Sequence, residues 1–188
     1  GFTPAFGVGA GNAAGIVDDS ADIDAAADRI VRSKTFDNAT SCSSENSIVI
    51  VDAVRPKLLA ALKKRGAVLL DATQKGTLQK LMWPDGKLSA EVTGQSAARI
   101  AQKAGFDFGA DVRILMVEED SFGAEHPYSG EKLSPVLTVY TAQDFADAKR
   151  IVERIYAWQG AGHSVGLHST KPERALELGL QLPVSRVI

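Results

Sequence analysis

The residue best suited to chemistry in this chain is its one cysteine, Cys42, in the stretch from Thr35 to Glu45. Small hydroxyl residues, Ser41, Ser43 and Ser44, surround it, and the stretch joins a helix-like segment to an apolar strand. A thiol at such a junction can be reached by a substrate, whereas a thiol inside a Leu/Ile stripe cannot. Two readings follow: a catalytic nucleophile, or a half-buried cysteine acting as a small hydrophobe. Context alone leaves both open, and the second is the more ordinary.

A nucleophilic thiol needs a base, a cation or a helix N-terminus to ionise at neutral pH, and a histidine and a carboxylate elsewhere complete the usual pattern. Glu131 begins Glu131-Lys132-Leu133-Ser134-Pro135, where a long irregular stretch runs into a strand. Ligand contacts are common at such edges, although an exposed surface glutamate fits the position as well. His163 stands between Gly162 and Ser164 at the mouth of a strand. It could shuttle a proton near neutral pH or serve as a hydrogen-bonded structural histidine. Glu45 would oppose ionisation if buried beside the thiol, and is expected to be a solvated or capping carboxylate instead. His168 is expected to be structural. No metal site is expected, because His126, His163 and His168 lack ligand spacing and one cysteine is too few. A phosphate loop of the G-x-x-x-x-G-K type is also absent.

The elements that must position these residues follow from periodicity. Asp18 to Asp22 offer N-caps for a helix carrying Ile23, Ala26, Ala27, Ile30 and Val31 on one face. Strands are expected at 47–52, 67–71, 113–117, 133–140, 163–168 and from 185. Helices are expected after Pro56, over 73–82 and 95–104, after a capping box at Thr141 to Asp144, and over 171–178. Alternating strands and helices predict an α/β fold, a mostly parallel sheet flanked by helices, as one domain over 1–188. The glycines of 5–16 include the relaxed dinucleotide pattern Gly9, Gly11, Ala14. With no strand before them, close backbone packing or approach to a ligand is the better reading.

With 188 residues, 45% apolar and 23% charged, the chain can bury a sizeable core. A net charge of -2, with 21 basic and 23 acidic residues intermixed, gives no polybasic block, so neither nucleic acid nor a membrane is an expected partner. One cysteine suits a reducing compartment, with the cytoplasm the default. The chain lacks an initiator Met and stops in mid-strand at Ile188, so it is expected to be cut from something longer.

Taken together, these residues resemble the catalytic domain of the aldehyde dehydrogenase superfamily, in particular its CoA-acylating branch. The similarity is carried by Pro4 to Asn12, the Asp-rich cap at 18–24, Ser33 to Asn38 followed by Cys42, Glu131 to Pro135, and Gly162-His163-Ser164, in the family's order and at similar separations. The resemblance implies that Cys42 attacks a small aldehyde, that hydride passes to NAD or NADP, and that coenzyme A takes the acyl group from the resulting thioester. It implies that Glu131 holds the nicotinamide-side ribose and that His163 assists acyl transfer. Hydrolytic members carry Glu-Leu-Gly-Gly where this chain has Gly7-Val8-Gly9-Ala10. Without that glutamate, water is not activated and a thiol acceptor is favoured. The resemblance also implies a nucleotide-binding domain outside the chain and a homo-oligomer at full length. A carboxylate-forming enzyme with its base elsewhere, and a non-catalytic α/β domain with a buried cysteine, stay open as alternatives.

Overall fold

The computed structural model describes residues 9–188, so the expectation attached to Gly7 lies outside the described residues. Seven strands and six α-helices alternate through them. In order they are β1 (Ala14–Val17), α1 (Ile23–Thr35), β2 (Ser47–Val51), α2 (Arg55–Lys63), β3 (Ala67–Leu69), α3 (Ala72–Met82), α4 (Ala97–Lys103), β4 (Ile114–Glu118), β5 (Val136–Ala142), α5 (Phe145–Trp158), β6 (Ser164–His168), α6 (Pro172–Gln181) and β7 (Arg186–Val187). The strands form one sheet in the order β3-β4-β5-β2-β1-β6-β7, and every neighbouring pair is parallel.

A parallel sheet must be covered on both faces, so its central strands are apolar in both directions. β2 illustrates this. Ile48 and Ile50 pack with Ile30, Leu58 and Leu62 of α1 and α2, while Val49 faces the other way, with Val152 and Ile155 of α5. On that second face α3 and α4 close a further cluster over Leu115 and Val117 of β4. Asp22 caps α1 by accepting the Ala25 N–H, and Pro56 lies in the first turn of α2, where its missing N–H costs nothing. Among the described residues, no helix is long and apolar enough to cross a membrane.

Two local expectations need correction. The expected capping box at Thr141 to Asp144 is absent, because β5 runs through Ala142; Asp144 itself caps α5, accepting from the Asp147 N–H at 2.7 Å. The strand expected from Leu133 starts at Val136, and residues 131–135 form a loop with Leu133 at φ 44°. One strand was not expected at all. β1, Ala-Gly-Ile-Val, sits in the middle of the sheet, and its small residues hide it from a search for β-branched runs.

Candidate active site

Strands that run parallel all begin at one edge of the sheet. Because β5, β2, β1 and β6 are consecutive neighbours, the loops leading into them are also neighbours. Those four loops carry Glu131, Cys42, Gly11 with Asn12, and His163. Open α/β sheets usually bind ligands at the opposite, carboxyl edge. Here the candidate residues gather at the amino edge.

The cysteine loop departs from α1 through a tight reversal. Asp37 (φ 48°, ψ 37°), Asn38 (φ 50°, ψ 36°) and Ala39 (φ 60°) are three consecutive left-handed residues, none of them glycine. Ala39 bears a cost of about 1–2 kcal/mol and Asp37 and Asn38 less, so the surroundings must enforce the shape. Thr40 Oγ1 donates to Asp37 Oδ2 at 2.6 Å, and Asn38 Nδ2 donates to the Gly94 carbonyl at 2.9 Å. The reversal lifts Cys42 to the surface, where it is exposed.

Glu131 and Cys42 meet across a single glycine. The Gly11 N–H donates to Glu131 Oε1 at 3.1 Å. A Cβ on Gly11 would stand 2.6 Å from the Cys42 carbonyl oxygen, 2.8 Å from Glu131 Oε1 and 3.0 Å from Cys42 Cβ. A hollow of about 240 Å³ adjoins Glu131, walled by Trp83, Leu88, Trp158 and Gln159. A hydrogen-bonded carboxylate beside aromatic and aliphatic walls suits the sugar hydroxyls and flat ring of a nucleotide. Larger hollows, of about 660 Å³ beside α4 and about 470 Å³ between β4 and α5, lie away from the cysteine and contain none of these residues.

Four polar side chains lock the loops together. Asn46 receives the Lys132 N–H on its Oδ1 at 2.9 Å, its own N–H donates to the Ala13 carbonyl at 2.7 Å, and its carbonyl accepts from Thr138 N. The approaches to β1, β2 and β5 are thus held at one residue. Asn12 Nδ2 donates to the carbonyls of Ser129 and Gln159, and Gln159 Oε1 accepts from Glu131 N at 3.1 Å. Tyr156 of α5 accepts from Ala14 N and donates to the Ser164 carbonyl at 2.6 Å, which ties β1 to β6. Backbone groups at strand ends lack ladder partners, and these side chains supply them.

Under the loops lie four charged side chains. Lys34 and Lys132 are 1% and 0% exposed. Burial pushes Lys34 down to about 7 against the pull of Glu45 and Glu131, and drives Lys132 well below the usual ammonium range. Lys132 Nζ donates to the carbonyls of Tyr128 and Gly130. Glu45 is half-buried and caps no helix, where a solvated or capping carboxylate was expected. Its Oε2 accepts from Ser33 Oγ at 2.7 Å, and burial raises its carboxyl above the ordinary value.

His163 is half-buried, with Nδ1 2.8 Å from Ser164 Oγ. It stands beyond β1 on the same edge, and among the described residues no hydrogen bond joins it to Cys42 or Glu131. His168 closes β6, and burial beside Arg29 lowers its proton affinity. Sequence reasoning missed Asn46, Tyr156, Gln159, Lys34 and Lys132. Asn46, Tyr156 and Gln159 act through the backbone of distant segments, and the burial of Lys34 and Lys132 is a product of the tertiary fold, neither of which a local pattern announces. The signal in plain view was Lys132 followed by Leu133 and Ser134, a lysine leading into a buried strand.

The chain is similar to known aldehyde dehydrogenases over nearly its whole length. No protein-family model matches the chain. An acylating sulfoacetaldehyde dehydrogenase of Cupriavidus necator is 59% identical over 188 residues, 99% of this chain and 38% of that protein. A probable aldehyde dehydrogenase from Listeria monocytogenes superposes with a TM-score of 0.95 at 40% identity, over 99% of this chain and 41% of the other. A propionaldehyde dehydrogenase of Rhodopseudomonas palustris, solved with bound propionyl-CoA, gives a TM-score of 0.85 at 26% identity, over 94% of this chain and 38% of the other. The chain therefore spans about two fifths of the length of these three relatives.

Proposed function

Starting from a chain homologous over its whole length to the acylating branch of the aldehyde dehydrogenase superfamily, we propose that it is the catalytic domain of an enzyme converting a small aldehyde to an acyl-CoA. The observation that carries the reading is the exposed Cys42 packed across Gly11 from Glu131.

Cys42 Sγ bonds to the aldehyde carbon and the carbonyl oxygen gains a proton, giving a thiohemiacetal. Loss of hydride and a proton from that adduct leaves an acyl thioester on Cys42. The coenzyme A thiol displaces Cys42, which leaves with its electron pair and is reprotonated. NAD or NADP, when bound, supplies the hydride acceptor. Glu131 is the residue that would hold its ribose, and the Gly11 N–H fixes one oxygen of that carboxylate. The Cys42 backbone N–H is available to the oxyanion that forms at each addition. His163, oriented by Ser164, would assist transfer to coenzyme A.

The nucleotide-binding domain is assigned to the rest of the full-length protein, which we read as a cytoplasmic homo-oligomer. Among aldehydes, the polar setting of Ser41, Ser43 and Ser44 suits a small polar one, and the 59% identity to a sulfoacetaldehyde enzyme points the same way. Full-length protein should form acyl-CoA and NADH or NADPH in equal amounts from aldehyde, NAD(P)+ and coenzyme A. Cys42→Ala should abolish both products. Acyl-CoA formation at the wild-type rate by that variant would refute the reading.

A further inference from the structure

Glu131 is held at both of its ends. The Gly11 N–H donates to its carboxylate at Oε1, and its own backbone N–H donates to Gln159 Oε1 at 3.1 Å. Gln159 is the residue at which α5 stops. Its N–H still donates to the Ile155 carbonyl, but its backbone turns to the extended region at φ -151°, ψ 146°. That turn takes its carbonyl out of the helix, and the carbonyl accepts from Asn12 Nδ2 at 3.1 Å. Asn12 follows Gly11 in the chain, so three hydrogen bonds and one peptide bond close a ring through Gly11, Glu131, Gln159 and Asn12. Asn12 Nδ2 also donates to the carbonyl of Ser129, two residues before Glu131.

Gly130 makes room for this ring. Its φ of -98° and ψ of -177° are open to any residue, so its backbone does not demand glycine. A Cβ there would instead lie 2.9 Å from Gln159 Oε1 and 3.4 Å from Gln159 Cδ, while its third neighbour, the Pro127 carbonyl oxygen, stands at an ordinary 3.5 Å. The one group that a side chain at 130 would displace is the Gln159 amide. The orientation of that amide is fixed by chemistry, because the Glu131 N–H can only donate and must face the amide oxygen. Gln159 also lines, with Glu131, Trp83 and Trp158, the hollow of about 240 Å³. The ring therefore borders the space assigned to the nucleotide.

We propose that Gln159 is a positioning residue for Glu131, whose side-chain oxygen fixes the peptide from which the carboxylate extends and so presents that carboxylate to the ribose of NAD(P)+ in one orientation. This rests on the proposed function in assigning the ribose to Glu131. Among the described residues no hydrogen bond joins Gln159 to Cys42, so its effect falls on nucleotide binding rather than on the attack of the thiol.

The test is the KM for NAD(P)+ and kcat of the full-length protein in wild type, Gln159→Ala, Gly130→Ala and the double variant, each checked for folding by circular dichroism. Gln159→Ala should raise the KM about fivefold, the loss of one hydrogen bond, with kcat changed by less than about twofold. Gly130→Ala should raise the KM by a similar factor, because its Cβ pushes the amide off the Glu131 N–H. In the double variant the two effects should not multiply, since the Cβ then meets no amide. A folded Gln159→Ala with the wild-type KM overturns the proposal, and so does a double variant whose KM rises by the product of the two single factors. Should Gln159→Ala fail to fold, a folded Gly130→Ala with the wild-type KM overturns it. If wild type makes no acyl-CoA, the proposed function has failed, and the Kd for NAD(P)+, read from quenching of Trp83 and Trp158 fluorescence, replaces KM with the same expected ratios. A wild type that binds no NAD(P)+ overturns this proposal as well.

Discussion

Gly11 is the position where one atom matters most. Any side chain there must displace the Cys42 backbone or the Glu131 carboxylate, because its Cβ would lie under 3 Å from an oxygen of each. Gly11→Ala is therefore expected to leave the fold intact and to lower acyl-CoA formation by about 100-fold, the penalty of misplacing a reacting group by about 1 Å. Steady-state kinetics beside a thermal melt separate the two effects. Ala39 makes the opposite case. Its φ of 60° suits glycine, so Ala39→Gly relieves about 1–2 kcal/mol of strain. The greater freedom of glycine in the unfolded chain offsets about 0.5–1 kcal/mol of that. Urea unfolding should show a net gain of about 0–1.5 kcal/mol. The positive φ at Asp37, Asn38 and Ala39 could not be read beforehand, because none of them is a glycine to mark it.

At the scale of elements, the site depends on how strand starts are fastened rather than on the strands. Tyr156→Phe keeps the ring packed against Gly160 but leaves Ala14 N and the Ser164 carbonyl without their side-chain partner. The expected cost is about 1–3 kcal/mol, measured by denaturant unfolding, for two buried backbone groups. The helices were legible because caps and apolar faces are local, as Asp22 and Leu58, Leu59 and Leu62 illustrate. β1 was not legible. Its Ala14 and Gly15, with Gly15 paired to Gly166 of β6, leave only Ile16 and Val17 as a β-branched signature of a strand. Glu45 was misjudged for a related reason, since only the tertiary fold brings Ser33 Oγ to its carboxylate.

Across the whole molecule, the buried lysines set a pH dependence of stability. The unfolded chain holds the Lys34 proton up to about 10.5, whereas the folded chain releases it near 7. Between those values the unfolded state binds more protons, so stability rises with pH, by at most about 1.4 kcal/mol per unit from this residue. Below about 7 both states are charged, and the contribution stays flat at its most unfavourable. Lys132 acts in the same direction. Urea midpoints of wild type and Lys34→Met, taken from pH 6 to 10, should converge as the pH rises, with the variant the flatter of the two. Family resemblance pointed to Cys42, Glu131 and His163, but nothing in the sequence spacing told of a charged layer under them.

The sheet order also decides when the thiol acquires its neighbours during synthesis. β5, whose preceding loop brings Glu131 and Lys132, ends at Ala142, so it can complete its pairing with β2 only after about 100 further residues have followed Cys42 out of the ribosome. At about 5–20 residues per second that leaves roughly 5–20 s in which the nascent chain carries the thiol without the carboxylate across Gly11. During that interval Cys42 has only the chemistry of a thiol on an unstructured chain.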